Sequence, residues 1–469
     1  MSNAKKFLKS SVIYFAGNIL TKLVAFFLLP IYTRLLPSED MGYYDYSISL
    51  LNMLIPVICM EIWSGIMRFM FDSKEKEKKY KAVFNGLIIF LFSLFLYVIV
   101  FLVLGLIKDV RLIVLIFLYG FFVMLQNIYG AIARGVGLGQ IYALSGIISS
   151  LVTAFTNIVL MLGFNLLLEA LYIGAIIGFI SQIIIIEMKV KVIPNIKFSM
   201  FDHAMIKGML KFSLPLSLNS AFFWFLSSYN RVALTAQLGL SVTGMYAVAG
   251  KFTAFMTLVS TSFSLAWQEL AYSKGNDKDR GTLYNVASNY YVKFLFAGLL
   301  LIVPFISIIF PFLIHENYAD AYELVPLYLL ATAASIFSSF LGNIFGAEKK
   351  TGIIMYSTVI AAIVNVITLH LLINRIGAQA ANISLFLGFM TNIVIRIVML
   401  RSVTKIKIDK RILFGFSILF CLSLYVYFVG EVILNIIFVL VVLVLCSFVF
   451  KELIQKALSA IKRSILRKV

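Results

Sequence analysis

Five basic side chains, Lys22, Arg231, Lys251, Lys293 and Arg396, fall inside long apolar stretches of this 469-residue chain. An ionised group at membrane depth costs at least about 2.5–3.5 kcal/mol and persists where it faces protein or a water-filled cavity. Lys22 lies about twelve residues into its stretch, roughly 18 Å along a helix, and shares a face with Ser11, Tyr14 and Asn18. It reads as a cation lining a cavity; snorkelling, or pairing with an acid, is the alternative. Farther on, Ser213, Ser217, Ser220, Trp224, Ser227 and Arg231 follow at steps of three or four, one helix face ending in a guanidinium. Serines also pack membrane helices closely, so this stripe has two readings, ligand contact and helix contact. Lys251 is followed by Thr253, Thr257, Thr261, Ser264 and Gln268. A cation beside hydrogen-bonding groups on each of three stretches suits an anionic substrate with a polar body. Arginine makes bidentate phosphate contacts and lysine neutralises a point charge.

Acids supply a second theme. Asp45, Ser49, Asn52 and Pro56 share a face, and Glu61 stands about 160° round from Asp45 on a continuous helix, two turns from Arg68. Asp45, Glu61 and Arg68 are expected to couple or gate, Glu61 with Arg68 as a polar pair near the inner mouth, or Glu61 as a proton site. His370 is expected to pack, and Arg396 to snorkel towards a basic inner loop. Enzymatic chemistry finds no support. His203, His315 and His370 lack zinc-ligand spacing, Cys59, Cys421 and Cys446 lie in apolar spans, and neither a P-loop nor a nucleophile elbow occurs. No cofactor is expected, and uphill work would draw on a proton or sodium gradient or on substrate supply.

Positioning these groups falls to membrane helices. With 62% hydrophobic and 13% charged residues, the chain is far from the roughly 45–50% and 25% of soluble domains. About 20 apolar residues per crossing give fourteen spans near 10–33, 43–69, 82–107, 112–133, 141–163, 168–188, 211–237, 243–270, 289–314, 324–346, 352–374, 378–400, 412–430 and 432–450. Of 40 Lys and Arg residues, 31 fall in segments on one side, and Arg34, Lys108, Arg111 and Arg375 on the other. The positive-inside rule puts both termini in the cytoplasm. The net charge of +19 therefore belongs to loops facing an anionic leaflet rather than to nucleic-acid binding.

An internal repeat sets the architecture. Leu36, Gly42 and Tyr44 match Leu238, Gly244 and Tyr246 at an offset of 202, and Ser149, Ala154 and Asn157 match Ser357, Ala362 and Asn365 at 208. Span n thus corresponds to span n+6. Six helices per unit keep both halves in one orientation, related by a pseudo-two-fold axis along the membrane normal. The expected all-α polytopic protein has two six-helix lobes, 1–190 and 211–401, joined by a cytoplasmic linker at 191–210. A basic loop at 402–411, helices 13 and 14 at 412–450 and a basic tail at 451–469 complete the chain.

Pro30, Tyr32, Arg34, Leu36, Pro37, Glu39, Gly42 and Tyr44, then Arg68, Arg134 in ARGVGLGQIYALS, FSLPLSLNS, Arg231, GMYAVAGKF and GAEKKTG resemble a known family. It is the polysaccharide transporter branch of the multidrug/oligosaccharidyl-lipid/polysaccharide exporter superfamily, the flippases of O-antigen and capsule repeat units. The resemblance covers spans 1 to 12. It implies a V-shaped flippase that carries undecaprenyl-pyrophosphate-linked oligosaccharides across the bacterial cytoplasmic membrane by alternating access. Polysaccharide polymerase or glycosyltransferases would be its partners. Lys22, Asn18, Arg231, Lys251, Ser220, Ser227 and Trp224 would meet the substrate. Three rivals stand beside this reading: a lipid II flippase, an ion-coupled multidrug exporter of the same superfamily, and a scramblase or non-transporting scaffold. An exporter of cationic drugs would want acids where this chain has cations.

Overall fold

The computed structural model describes residues 24, 26–72, 75–258, 260, 263, 267, 279–348, 350–401 and 406–451. Lys22 and Asn18 lie outside the described residues, as do Thr261, Ser264 and Gln268. The helices of seven residues or more are α1 Leu29–Leu35, α2 Ser38–Ile58, α3 Ile62–Phe71, α4 Lys76–Ile107, α5 Ile113–Gly135, α6 Gly139–Phe164, α7 Leu168–Val190 and α8 His203–Ser227. There follow α9 Tyr229–Leu238, α10 Leu240–Lys251, α11 Arg280–Leu313, α12 Ala321–Ala347, α13 Thr351–Ile376, α14 Gln379–Leu400, α15 Lys410–Val429 and α16 Val432–Val449. Helices satisfy their backbone groups internally, which lipid demands of any spanning segment. Among the described residues ten helices are long and apolar enough to cross a membrane, eleven if α2 and α3 form one broken span. The thirteenth expected span coincides with the shorter Leu413–Val429, and the first and eighth run into residues outside the described set. The described helices therefore do not by themselves reach fourteen.

Buried apolar side chains gather in two clusters, one per lobe. The first joins α3 to α7 through Ile66, Met124, Ile128 and Ile186; the second joins α10 to α14 through Phe252, Phe310, Phe340 and Leu385. The pair α15–α16 docks on the second lobe, with Tyr427 and Val442 buried in that cluster. Helix α8 serves both: Met209 near its start is buried in the first cluster and Leu226 near its end in the second. Its start is fixed by Asp202, whose carboxylate accepts from the Met205 N–H at 3.1 Å and pairs with Lys81 at 2.8 Å. Those two partners hold the Asp202 carboxyl below its ordinary range.

The second span does not run straight. Pro56 cannot donate to the carbonyl four residues back, and Met60 and Glu61 both take the left-handed conformation at φ 53°. That conformation is costly for a side chain with a Cβ. The chain bends by 50° between α2 and α3. A continuous-helix reading of Glu61 with Arg68 therefore fails. Arg68 pairs with Asp72 one turn on, and Glu61 turns to α8.

The repeat is written into the contact between α2 and α10. A Cβ on Gly42 would overlap the Leu240 carbonyl, and one on Gly244 would overlap the Ser38 carbonyl. Either methyl would also stand no more than 3.0 Å from the other glycine's nitrogen. Residue 42 maps to 244 and 38 to 240 under the 202-residue offset, so each half of the contact is the image of the other.

Candidate functional site

The loops near 34–40, 108–112, 239, 314–320 and 377 share one end of the molecule, the outer end in the expected orientation. There the lobes are joined. The Ser38 and Ser241 hydroxyls are 2.7 Å apart, Thr33 donates to the Leu313 carbonyl at 3.4 Å, and the Tyr318 hydroxyl donates to the Leu36 carbonyl at 3.0 Å. The strongest link is ionic. Arg231 Nε donates to Asp45 Oδ2 at 2.5 Å while its Nη2 reaches the Tyr328 hydroxyl at 3.1 Å, and the guanidinium lies 5.8 Å from the centre of the Tyr246 ring. Both charged side chains are about four-fifths buried, at 19% and 21% exposure. Arg231, expected to meet substrate, is thus engaged by Asp45, expected as a separate coupling group; the two are partners across the lobes.

Much of the serine stripe of α8 follows its helix-contact reading, with Ser217, Ser220 and Trp224 spent on α2 and the break before α3, while the buried Ser213 hydroxyl has no hydrogen-bond partner among the described residues. Ser217 donates to the Pro56 carbonyl at 2.9 Å, Trp224 Nε1 to the Ser49 carbonyl at 2.6 Å, and Ser220 to Glu61 Oε1 at 2.7 Å. Glu61 Oε2 accepts from Ser64 at 3.0 Å. Ser227 bonds within its own helix, to the Phe223 carbonyl at 2.8 Å. Burial favours these pairings, because an unpaired polar group facing lipid or packed helix costs free energy. His370 links α13 to α9 through Tyr229 at 2.9 Å and Gln237 at 3.0 Å. Arg396 does not reach for the inner loop: it is buried, at 5% exposure, within the second lobe.

Beyond the joined ends, on the inner side in the expected orientation, lies a cavity of about 410 Å³. The first lobe supplies its wall, and Lys251 at the end of α10 enters from the second. Arg134, in the last turn of α5, lies with its guanidinium 5.0 Å from the Tyr142 ring centre and donates from Nε to the Gly130 carbonyl at 3.1 Å. Gly130 is required there: a Cβ would stand 2.7 Å from the Tyr142 ring. Gln126, Gln182, Ser149 and Ser150 add hydrogen-bonding groups, with Gln126 Nε2 donating to Gln182 Oε1 at 2.5 Å. Along α5 the polar wall from Gln126 to Arg134 extends about 12 Å. Among the described residues no carboxylate pairs with Arg134 or Lys251, and no group of acids, histidines or cysteines could hold a metal ion. Sequence reasoning found Lys251 and missed Gln126 and Gln182, two amides whose depth in their spans was signal enough.

Two pseudo-symmetric helical lobes, the first walling a cavity that Lys251 enters from the second, have the fold of a multi-pass membrane transporter. More narrowly, the chain belongs to the polysaccharide biosynthesis protein family, whose model matches residues 7–268. No curated protein matches the chain. Among solved structures it is similar to the lipid II flippase MurJ in an inward closed conformation, with TM-score 0.70 and 16% identity over 95% of this chain and 100% of that one. It is also similar to an inward-facing multidrug resistance MATE family transporter of the MOP superfamily, at TM-score 0.67 and 15% identity over 84% and 97%. An outward-facing MATE structure gives 0.52 at 16% identity over 84% and 95%. These likenesses are of fold.

Proposed function

We propose that this protein flips an undecaprenyl-pyrophosphate-linked oligosaccharide repeat unit from the inner to the outer leaflet of the bacterial cytoplasmic membrane, with both termini in the cytoplasm. The observation that carries this reading is a polar cavity holding two cations, Arg134 and Lys251, without a carboxylate partner among the described residues. A pyrophosphate supplies the missing negative charge, and amides and hydroxyls around it suit a sugar. Lys22 is the proposed third cation. The prenyl tail stays in lipid, and the apolar groove of about 300 Å³ between α11, α15 and α16 is suited to hold part of it. Asp45 with Arg231 acts as the outer gate: the pair separates when the lobes part at that end, and the cavity then empties outward. Glu61, at a strained break in span 2, is the proposed ion-coupling group.

A lipid II flippase would use the same cations on a different glycan, and likeness to MurJ supports keeping it as the second reading. Transbilayer movement of a fluorescent undecaprenyl-pyrophosphate oligosaccharide in proteoliposomes tests the proposal. Arg134→Ala and Lys251→Ala should insert normally and each lose about tenfold or more of the flipping rate, since a charge-assisted hydrogen bond contributes about 1.5–3 kcal/mol. Lys22→Ala should behave alike. Unimpaired flipping by all three would remove the cationic cavity from the mechanism.

A further inference from the structure

The second lobe has a cavity of its own, about 300 Å³, between α8, α12, α13 and α14. It is the repeat image of the first. Gln126, Asn127 and Gly130 on α5 correspond to Ser338, Ser339 and Gly342 on α12, each 212 residues on. Ser150 corresponds to Thr358, 208 residues on, and Phe179 and Gln182 to Phe389 and Asn392, each 210 on. The arginine alone has changed helix. Arg134 of α5 has Gly346 in its place, and Arg396 of α14 enters the second cavity instead. Both arginines lie within the last two turns of their helices, at the same end of the molecule.

Arg396 is 95% buried, at 5% exposure, and all its partners among the described residues are neutral. Nε donates to Ser357 Oγ at 3.1 Å, Nη1 to the Ser338 carbonyl and to Ser338 Oγ at 3.1 Å, and Nη2 to Thr358 Oγ1 at 3.5 Å. These bonds orient the guanidinium and leave its charge uncompensated and one of five N–H donors unused. One turn away, the buried Asn392 side chain has a carbonyl oxygen with no partner among the described residues. A fixed, unpaired cation with a free N–H in a cavity is the arrangement that an oxyanion completes, whereas the Asn392 oxygen, an acceptor, suits a hydroxyl of the same ligand.

We propose that Arg396 forms a second phosphate-binding site, related to the Arg134 site by the pseudo-two-fold axis, with Asn392 beside it accepting from a ligand hydroxyl. This rests on the flippase reading only for the identity of its physiological ligand; the chemistry requires a phosphate or pyrophosphate group. In that reading the substrate's pyrophosphate engages the first lobe and then the second as the lobes move.

Calorimetric titration of the full-length protein in nanodiscs with inorganic pyrophosphate, and separately with a short-chain prenyl pyrophosphate, tests the site. Wild type should bind two equivalents, and Arg396→Gln should weaken one of them by about tenfold or more while sparing the other. Ser339→Phe crowds the exposed mouth without touching any Arg396 hydrogen bond and should give the same loss, so a misfolded Arg396→Gln leaves the test standing. Arg134→Gln should remove the other equivalent. Binding of both probes assigns the site to free phosphate as well as lipid headgroups; binding of the prenyl probe alone assigns it to the lipid. No binding of either, or a stoichiometry that Arg396→Gln and Ser339→Phe leave unchanged, overturns the proposal. Two-site binding in a protein that flips no lipid-linked oligosaccharide would sink the transport reading and leave this site intact.

Discussion

At the scale of single residues, the charges divide into those that are matched and those that are not. Asp45 and Arg231 are 186 residues apart and meet at 2.5 Å, whereas Arg134, Lys251 and Arg396 face cavities without a carboxylate among the described residues. Matched charges hold a conformation; the unmatched ones are the proposed ligand contacts. Asp45→Asn and Arg231→Gln should each loosen the joined end of the lobes, the proposed outer gate, and the double variant should cost no more than the worse single one. A thermal-shift double-mutant cycle should give a coupling energy of about 1–3 kcal/mol, and strictly additive losses would deny the pair. Depth in an apolar run shows that Arg231 needs a partner, and nothing local can name Asp45. Arg396 misleads for a related reason. Four residues from a helix end it has the reach to snorkel, and only the packing of α12 and α13 around it closes that route.

Elements explain why some spacing arguments hold and others do not. The glycines Gly42 and Gly244 and the tyrosines beside them are legible as a repeat because two helices in close contact tolerate no side chain at the crossing. Spacing on a straight helix mispairs Glu61 with Arg68, because Pro56 and two left-handed residues break that helix. The stripe from Ser213 to Ser227 is legible as one face, but what that face meets is decided by the packing of α2 and α3 against it. Gly42→Val should force α2 away from the Leu240 carbonyl and favour an outer-open state. A cysteine at Ser49, which is buried at 3% exposure under α8, should then react several-fold faster with a membrane-impermeant maleimide than in the Gly42 background. Equal labelling rates would show that α2 and α10 do not set the outer closure.

For the whole molecule, lobes joined at one end with cavities beyond the joint are, in the proposed flippase reading, one state of an alternating cycle. Holding that state should stop transport without removing any ligand-binding group. With Cys59, Cys421 and Cys446 replaced, Ser38→Cys with Ser241→Cys, whose hydroxyls lie 2.7 Å apart, should cross-link under oxidation and abolish flipping, and reductant should restore it. Undiminished flipping by a fully cross-linked protein would mean that the outer ends need not part.

The contact of Gly42 and Gly244 has a consequence for how such a molecule could arise. A surface that maps onto itself under a half-turn carries both sides of its own interface. A single six-helix half would therefore already possess everything needed to pair with a second copy of itself there. Two such halves joined in one chain are free to differ. The migration of a guanidinium from α5 in one half to α14 in the other is such a divergence, which an obligate pair of identical chains could not make.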